Sequence, residues 1–143
     1  MPEPLKTPGM IVINRVLDAP RELVFDCWLK PEHLVHWFRG SSDWHTPYAE
    51  TDPRAGGTFR IGFGSPDGKN DFDFYGTYDE VVPPERIVFH LGDGRPVTVS
   101  IVEQFGKTLV TVEFAMEETN SAEQQREGWN NMLVHLDQYL ASR

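Results

Sequence analysis

Three histidines are the first residues whose spacing suggests chemistry. His33 and His36 lie three apart in "PEHLVHWF", and His45 follows in "RGSSDWHTP". On a helix that spacing turns two imidazoles to one side, and imidazole is a common zinc ligand. A zinc site takes three or four ligands, each held by a further hydrogen bond. No cysteine pair, His-Glu-x-x-His run or facing carboxylates complete the set. The histidines therefore read as solvated helix residues, and neither a metal nor a cofactor is expected. Cys27, the one cysteine, falls on the apolar side of its segment and reads as a small buried hydrophobe. No Gly-x-Ser-x-Gly elbow and no glycine-rich phosphate loop is present. Acid–base chemistry inside an apolar pocket remains, because burial can shift a pKa into a useful range. Tyr78 and His90 are the candidate proton carriers, with Arg60 or Arg15 as anchors for a carboxylate or enolate. His90 is out of phase with Ile87, Phe89 and Leu91, so alternation points it outward. Glu80 continues the Phe72–Tyr78 face toward a cavity mouth, or pairs with Arg86 at the strand end. No catalytic residue is assigned on this basis.

Binding has more material than reaction. Aromatic residues make up 12% of the chain and fall on alternating faces: Phe59, Ile61 and Phe63 in one run, then Phe72, Phe74 and Tyr78, then Phe89. Trp28 and Trp37 come from helical segments, and Trp129, Met132, Leu133 and Leu136 follow a helical period near the end of the chain. Such residues either fill a core or wall a pocket for a planar or hydrophobic small molecule. They form the candidate ligand-lining set. Gly128 interrupts the last helix, where glycine costs about 0.5–1 kcal/mol against alanine. Either it opens a pocket entrance or lets Trp129 approach the sheet, or it lies so near the helix start that the cost is small.

The elements that must position these residues are legible in order. "MIVINRVL" (10–17) is a β-branched strand. Pro20 and Pro31 each open a short helix, a position that tolerates proline. Strands then follow at "TFRIGF", "FDFYGTYDEV", "RIVFHL", "PVTVSIVEQ" and "KTLVTVEFAM", with a hairpin turn at Asp67–Gly68, a break at Pro83–Pro84 and a reversal at Phe105–Gly106. Their spacing is that of an antiparallel meander. Ser121 with Gln124 has capping-box form, starting a helix of roughly 30 Å. Six or seven strands spaced about 4.8 Å apart span a similar distance, so this helix can cross the whole sheet. The expected fold class is α+β: a curved antiparallel β-sheet wrapped around a long C-terminal helix, with two short helices after the first strand. Residues 10–143 read as one domain, and residues 1–9, with three prolines and a glycine, as a flexible N-terminal arm.

Bulk properties narrow the partners. The formal charge of −9 disfavours nucleic acid, whose binding relies on Lys and Arg, and disfavours an anionic membrane surface. No apolar run approaches the ~18 residues of a membrane span, and the first residues lack a secretory pattern. With a single cysteine, a cytoplasmic location is expected.

The runs "APRELVFDCW" (19–28), "PEHLVHWF" (31–38), "DPRAGGTF" (52–59), "GTYDEVVPPERIVF" (76–89) and "EGWNNMLVHL" (127–136) occur in an order that resembles the activator of Hsp90 ATPase homologue 1-like family. That family lies in the START-like (SRPBCC) superfamily, which shares the helix-grip fold of the birch-pollen allergen. The resemblance implies a cavity between sheet and C-terminal helix, and it transfers no catalytic signature. Lipid and sterol carriers, polyketide cyclases, hormone receptors and co-chaperones share the superfamily, so fold alone does not choose among them. The expected function is binding of a hydrophobic or aromatic small molecule. The alternatives are a cyclase- or hydrolase-type enzyme using the same cavity, and a chaperone-linked stress-response role through an exposed patch around Trp37, Phe38 and Trp44. The namesake co-chaperone carries a separate N-terminal domain that these 143 residues lack, which weighs against a chaperone partner. The resemblance also admits a homodimer.

Overall fold

Alternating apolar and polar residues build seven strands in the computed structural model, which describes residues 9–143. Apart from Gly9, the arm expected at residues 1–9 lies outside the described residues. Strand β1 (Met10–Leu17) leads into helices α1 (Arg21–Leu29) and α2 (Pro31–Trp37). Six strands follow: β2 (Ala49–Thr51), β3 (Thr58–Gly64), β4 (Asp71–Val82), β5 (Arg86–Leu91), β6 (Pro96–Gln104) and β7 (Lys107–Ala115). The long helix α3 (Ala122–Ala141) ends the chain. The sheet order is β1-β7-β6-β5-β4-β3-β2, and every neighbouring pair is antiparallel. Strands β3 to β7 are the expected meander, β2 adds a short strand at one edge, and β1 closes the sheet at the other. The two short helices carry the chain from one edge of the sheet to the other.

Local chemistry fixes the helix ends. Pro31 starts α2 at its first turn, while Pro20 takes the position before α1. Ser121 and Gln124 form the reciprocal capping box at the start of α3. Two threonine hydroxyls satisfy carbonyls that the short helices leave free at their C-terminal ends, Thr51 donating to Leu29 (2.8 Å) and Thr46 to Phe38 (2.8 Å), and Thr108 donates to Ala19 just before α1 (2.6 Å). The inward residues of β1, β3, β5, β6 and β7 meet α1, α2 and the Met132–Leu133–Leu136 stripe of α3 in one core. Trp37 is fully buried there, its ring edge-on to Trp28 at 4.9 Å and its indole N–H bonded to the Cys27 carbonyl. An exposed patch at Trp37 and Phe38 is therefore excluded, since both are core residues.

Two departures from simple alternation matter. Strand β2 is three residues long and has no pattern of its own; pairing with β3 makes it a strand. In β4 the pairing slips between Tyr78 and Glu80, leaving Asp79 as the extra residue of a bulge. Beyond the bulge Val81, not Glu80, packs on the core. Glu80 therefore does not reach a cavity, and it pairs with Arg86 at 2.7 Å.

At Gly76 the backbone of β4 runs against β5. A Cβ there would overlap the His90 carbonyl oxygen and crowd the Phe59 ring. Gly76→Ala is expected to lower stability by about 1–3 kcal/mol, as overpacking does. Chemical denaturation of the two proteins checks this.

Candidate functional site

A cleft of about 380 Å³ opens between the sheet and the N-terminal half of α3. Its apolar wall is Phe63 from β3, Phe72 and Phe74 from β4, Leu91 from β5, and Trp129 and Met132 from α3, with Trp44 at the side. Trp129 stacks on Phe114 of β7 at 4.9 Å and meets Phe74 edge-on at 5.9 Å. Phe72 stays 54% exposed, packed edge-on against Trp44 and Phe63. The polar rim comes from three connections: Arg39 to Ser41 after α2, Arg95 in the β5–β6 turn, and Glu117 and Asn120 before α3.

The loop after α2 is clasped to α3. His135 Nδ1–H donates to the Arg39 carbonyl at 2.7 Å, and the Asn131 amide to the Gly40 carbonyl at 3.2 Å. Gly40 and Gly128 bring backbone against backbone, since a Cβ at Gly40 would stand 3.4 Å from the Gly128 carbonyl oxygen. Gly128 is the seventh residue of α3, not its start, and a Cβ there would meet nothing within 4 Å. It borders the open cleft.

A second, inner cavity is enclosed by Trp28, Phe38, Phe59, Ile61, Phe74, Tyr78, Ile87 and Phe89, with about 20 Å³ available to a water-sized molecule. Phe74 borders both spaces. The Trp28 indole N–H is buried without a partner. Burial pushes the Tyr78 hydroxyl well above its usual range, with Asp52 adding to the effect.

The candidate ligand-lining residues thus divide. Phe63, Phe72, Phe74, Trp129 and Met132 line the cleft. Trp28, Phe59, Ile61, Phe74, Tyr78 and Phe89 surround the inner cavity. Trp37, Leu133 and Leu136 are packed solid and border neither. The candidate proton carriers are not brought together: His90 lies on the outer sheet face, 2.9 Å from Asp79, while Tyr78 is inside. Arg15 is bound to Asp137 of α3 (2.9 Å), and Arg60 to Asp73 on the outer face (2.6 Å). Neither anchors anything in the cleft. His33 hydrogen-bonds with Tyr139, His36 stacks on the same ring, and the His45 ring covers Gly64. Among the described residues no three metal-ligating side chains converge. The Cys27 thiol is buried, which pushes its pKa up to about 11.

The rim residues Arg39, Arg95, Glu117, Asn120 and Gln125 escaped sequence reasoning. They come mostly from irregular connections, where no periodicity marks a face. Only Gly128 gave a signal, as a glycine inside an amphipathic helix.

A curved antiparallel sheet holding one long helix, with a cleft between them, defines the helix-grip class of α+β protein. The chain belongs to the activator of Hsp90 ATPase homologue 1-like family, whose model matches residues 18–141. It is similar to a solution structure of a family member from Aeromonas hydrophila (33% identity, 93% of this chain and 92% of that one, TM-score 0.87). A protein from Cytophaga hutchinsonii is similar at 34% identity over 94% and 93% of the two chains, with a TM-score of 0.80. A protein from Nitrosomonas europaea shares the fold at 20% identity, 96% and 97% coverage and a TM-score of 0.83. No curated protein matches the chain. Among the described residues no helix is long and apolar enough to cross a membrane.

The His135 clasp has a pH dependence with a definite sign. Burial holds His135 below its ordinary value near 6.5; the Arg39 carbonyl opposes that shift and the Arg39 charge adds to it. A depressed histidine contributes stability above the unfolded-state value and loses it as pH falls toward the folded one. His33 shifts in the same sense, by burial and the nearby Arg143. On going from about pH 7.5 to about pH 5.5, the wild type is expected to lose more melting temperature than His135→Asn, which keeps an N–H donor without titrating. Equal losses would show that His135 is not the group responsible.

Proposed function

We propose that the protein binds a small hydrophobic or aromatic molecule in the cleft between the sheet and α3. The observation that carries this is the aromatic wall of Phe63, Phe72, Phe74 and Trp129 around about 380 Å³ of open space. Apolar clefts of some 300–1,000 Å³ with a few polar groups are the usual form of a ligand site. Gly128 supports the same reading. A helix interior normally gains about 0.5–1 kcal/mol from alanine, and here nothing steric prevents one. Keeping glycine leaves the entrance wide. An acid–base enzyme finds less support, since His90 lies outside and Tyr78 lines a separate, nearly filled cavity.

Native and denaturing mass spectra of protein purified without added ligand provide the first test. The expected result is a native mass above that of the chain, with a small molecule released on unfolding. Gly128→Leu is expected to stay folded and lose the bound mass, because its side chain occupies the entrance. Trp129→Ala is expected to weaken binding more than a substitution on the outer sheet face. Unchanged occupancy in both folded variants would move the site elsewhere.

A further inference from the structure

The rim of the cleft holds a cation without a counter-charge. Five arginines, Arg15, Arg54, Arg60, Arg86 and Arg95, each hold a carboxylate within salt-bridge distance. Arg39 holds none among the described residues, and neither do Arg21, Arg126 and Arg143, but of these four only Arg39 lines the cleft. Its Nη1–H is committed to the His36 carbonyl at 3.0 Å, while its Nε–H is buried with no acceptor. A buried donor without a partner is costly, and more so on a charged group. The backbone that carries Arg39 is fixed to α3 through His135 and Asn131, so the guanidinium is held beside the cleft.

The hydrogen-bonding groups of the other rim charges are already engaged, Arg95 by a carboxylate and Glu117 by the neutral Asn120. Arg95 donates to Asp93 at 2.7 Å. Glu117 accepts from the backbone and the side chain of Asn120. A ligand cation meets a Glu117 carboxylate whose two oxygens already accept from Asn120, whereas a ligand oxyanion has Arg39.

We propose that the cleft takes an amphiphile with a single oxyanion, a carboxylate in the simplest case, that pairs with Arg39 while its aromatic or alkyl part lies against Phe72, Phe74 and Trp129. This rests on the binding function proposed above and assigns the chemical class of its ligand. Arg39 sets specificity, because charge-assisted bonds to a guanidinium fork are about twice as strong as neutral ones and are directional. Without an anionic group, a ligand of the same shape has no acceptor for the Nη2 donors of Arg39, which are bonded to nothing among the described residues and are not buried.

Two fluorescent probes with the same ring system separate the two ideas: 1-anilinonaphthalene-8-sulfonate and the neutral N-phenyl-1-naphthylamine. The wild type is expected to bind the sulfonate about tenfold tighter, the size of one charged hydrogen bond. The preference is expected to shrink with added salt, as a partly exposed ion pair does. Arg39→Gln is expected to abolish the preference, and Arg39→Lys to retain part of it. Gly128→Leu is expected to remove both signals, which places them in the cleft. Equal affinity of the wild type for the two probes, or a preference that survives Arg39→Gln, overturns the assignment of the anion and leaves the cleft as a binding site. Binding of neither probe, or signals unchanged in Gly128→Leu, overturns both. The wild-type comparison decides even where the glutamine variant does not fold.

Discussion

The seat of Trp129 on the sheet governs the rest of the molecule. Its indole lies flat on Phe114 of β7 at 4.9 Å and receives Phe74 of β4 edge-on. Such aromatic pairs add about 0.5–1.5 kcal/mol each beyond the area they bury. They also have thickness. One turn further on, Leu133 and Leu136 are 0% exposed and pack directly on the core. The helix is therefore seated closely through its middle, while its first turns are set against the sheet through a large ring. The cleft lies in the space beside that ring, where the aromatic wall does not close against the helix.

That geometry would be loose if the rim were not tied. Hydrogen bonds from His135 and Asn131 fasten the Arg39–Gly40 backbone to α3, with Gly40 lying beside the Gly128 carbonyl. The same helix therefore supplies the apolar wall through Trp129 and Met132 and the polar clasp through Asn131 and His135. Changes in the clasp are coupled to the rim, because the Arg39 carbonyl and the Arg39 guanidinium belong to one residue. Elsewhere, surface ion pairs such as Arg60–Asp73 and Arg86–Glu80 lie on exposed positions, where solvent screening leaves them a small share of stability. The core, not the charge pattern, holds the fold.

Much of this architecture was present in the sequence. Period-two alternation set the inward faces of β3, β5, β6 and β7, because a strand's side chains must alternate across the pleat. Period-three-to-four spacing set the buried stripe of α3, and Ser121 with Gln124 set its start, because unpaired helix N–H groups require a local acceptor. The outward direction of His90 also followed from parity alone, whereas parity put Glu80 on the inward face and only its place near Arg86 at the strand end suggested the pair.

Tertiary structure decided the rest. The bulge at Asp79 reverses parity in the last residues of β4, and it depends on how β4 meets β5, which no local pattern encodes. Strand β2 exists only because β3 offers an edge. Which aromatic residues wall the open cleft and which close the inner cavity depends on the height of α3 above the sheet. The place of Arg39 at the cleft rim, with no carboxylate within salt-bridge distance, became visible only once the loop after α2 had been set against α3. Periodicity is a property of one segment, so the sequence by itself determined the faces; a cleft is a distance between segments, and only the folded chain has it.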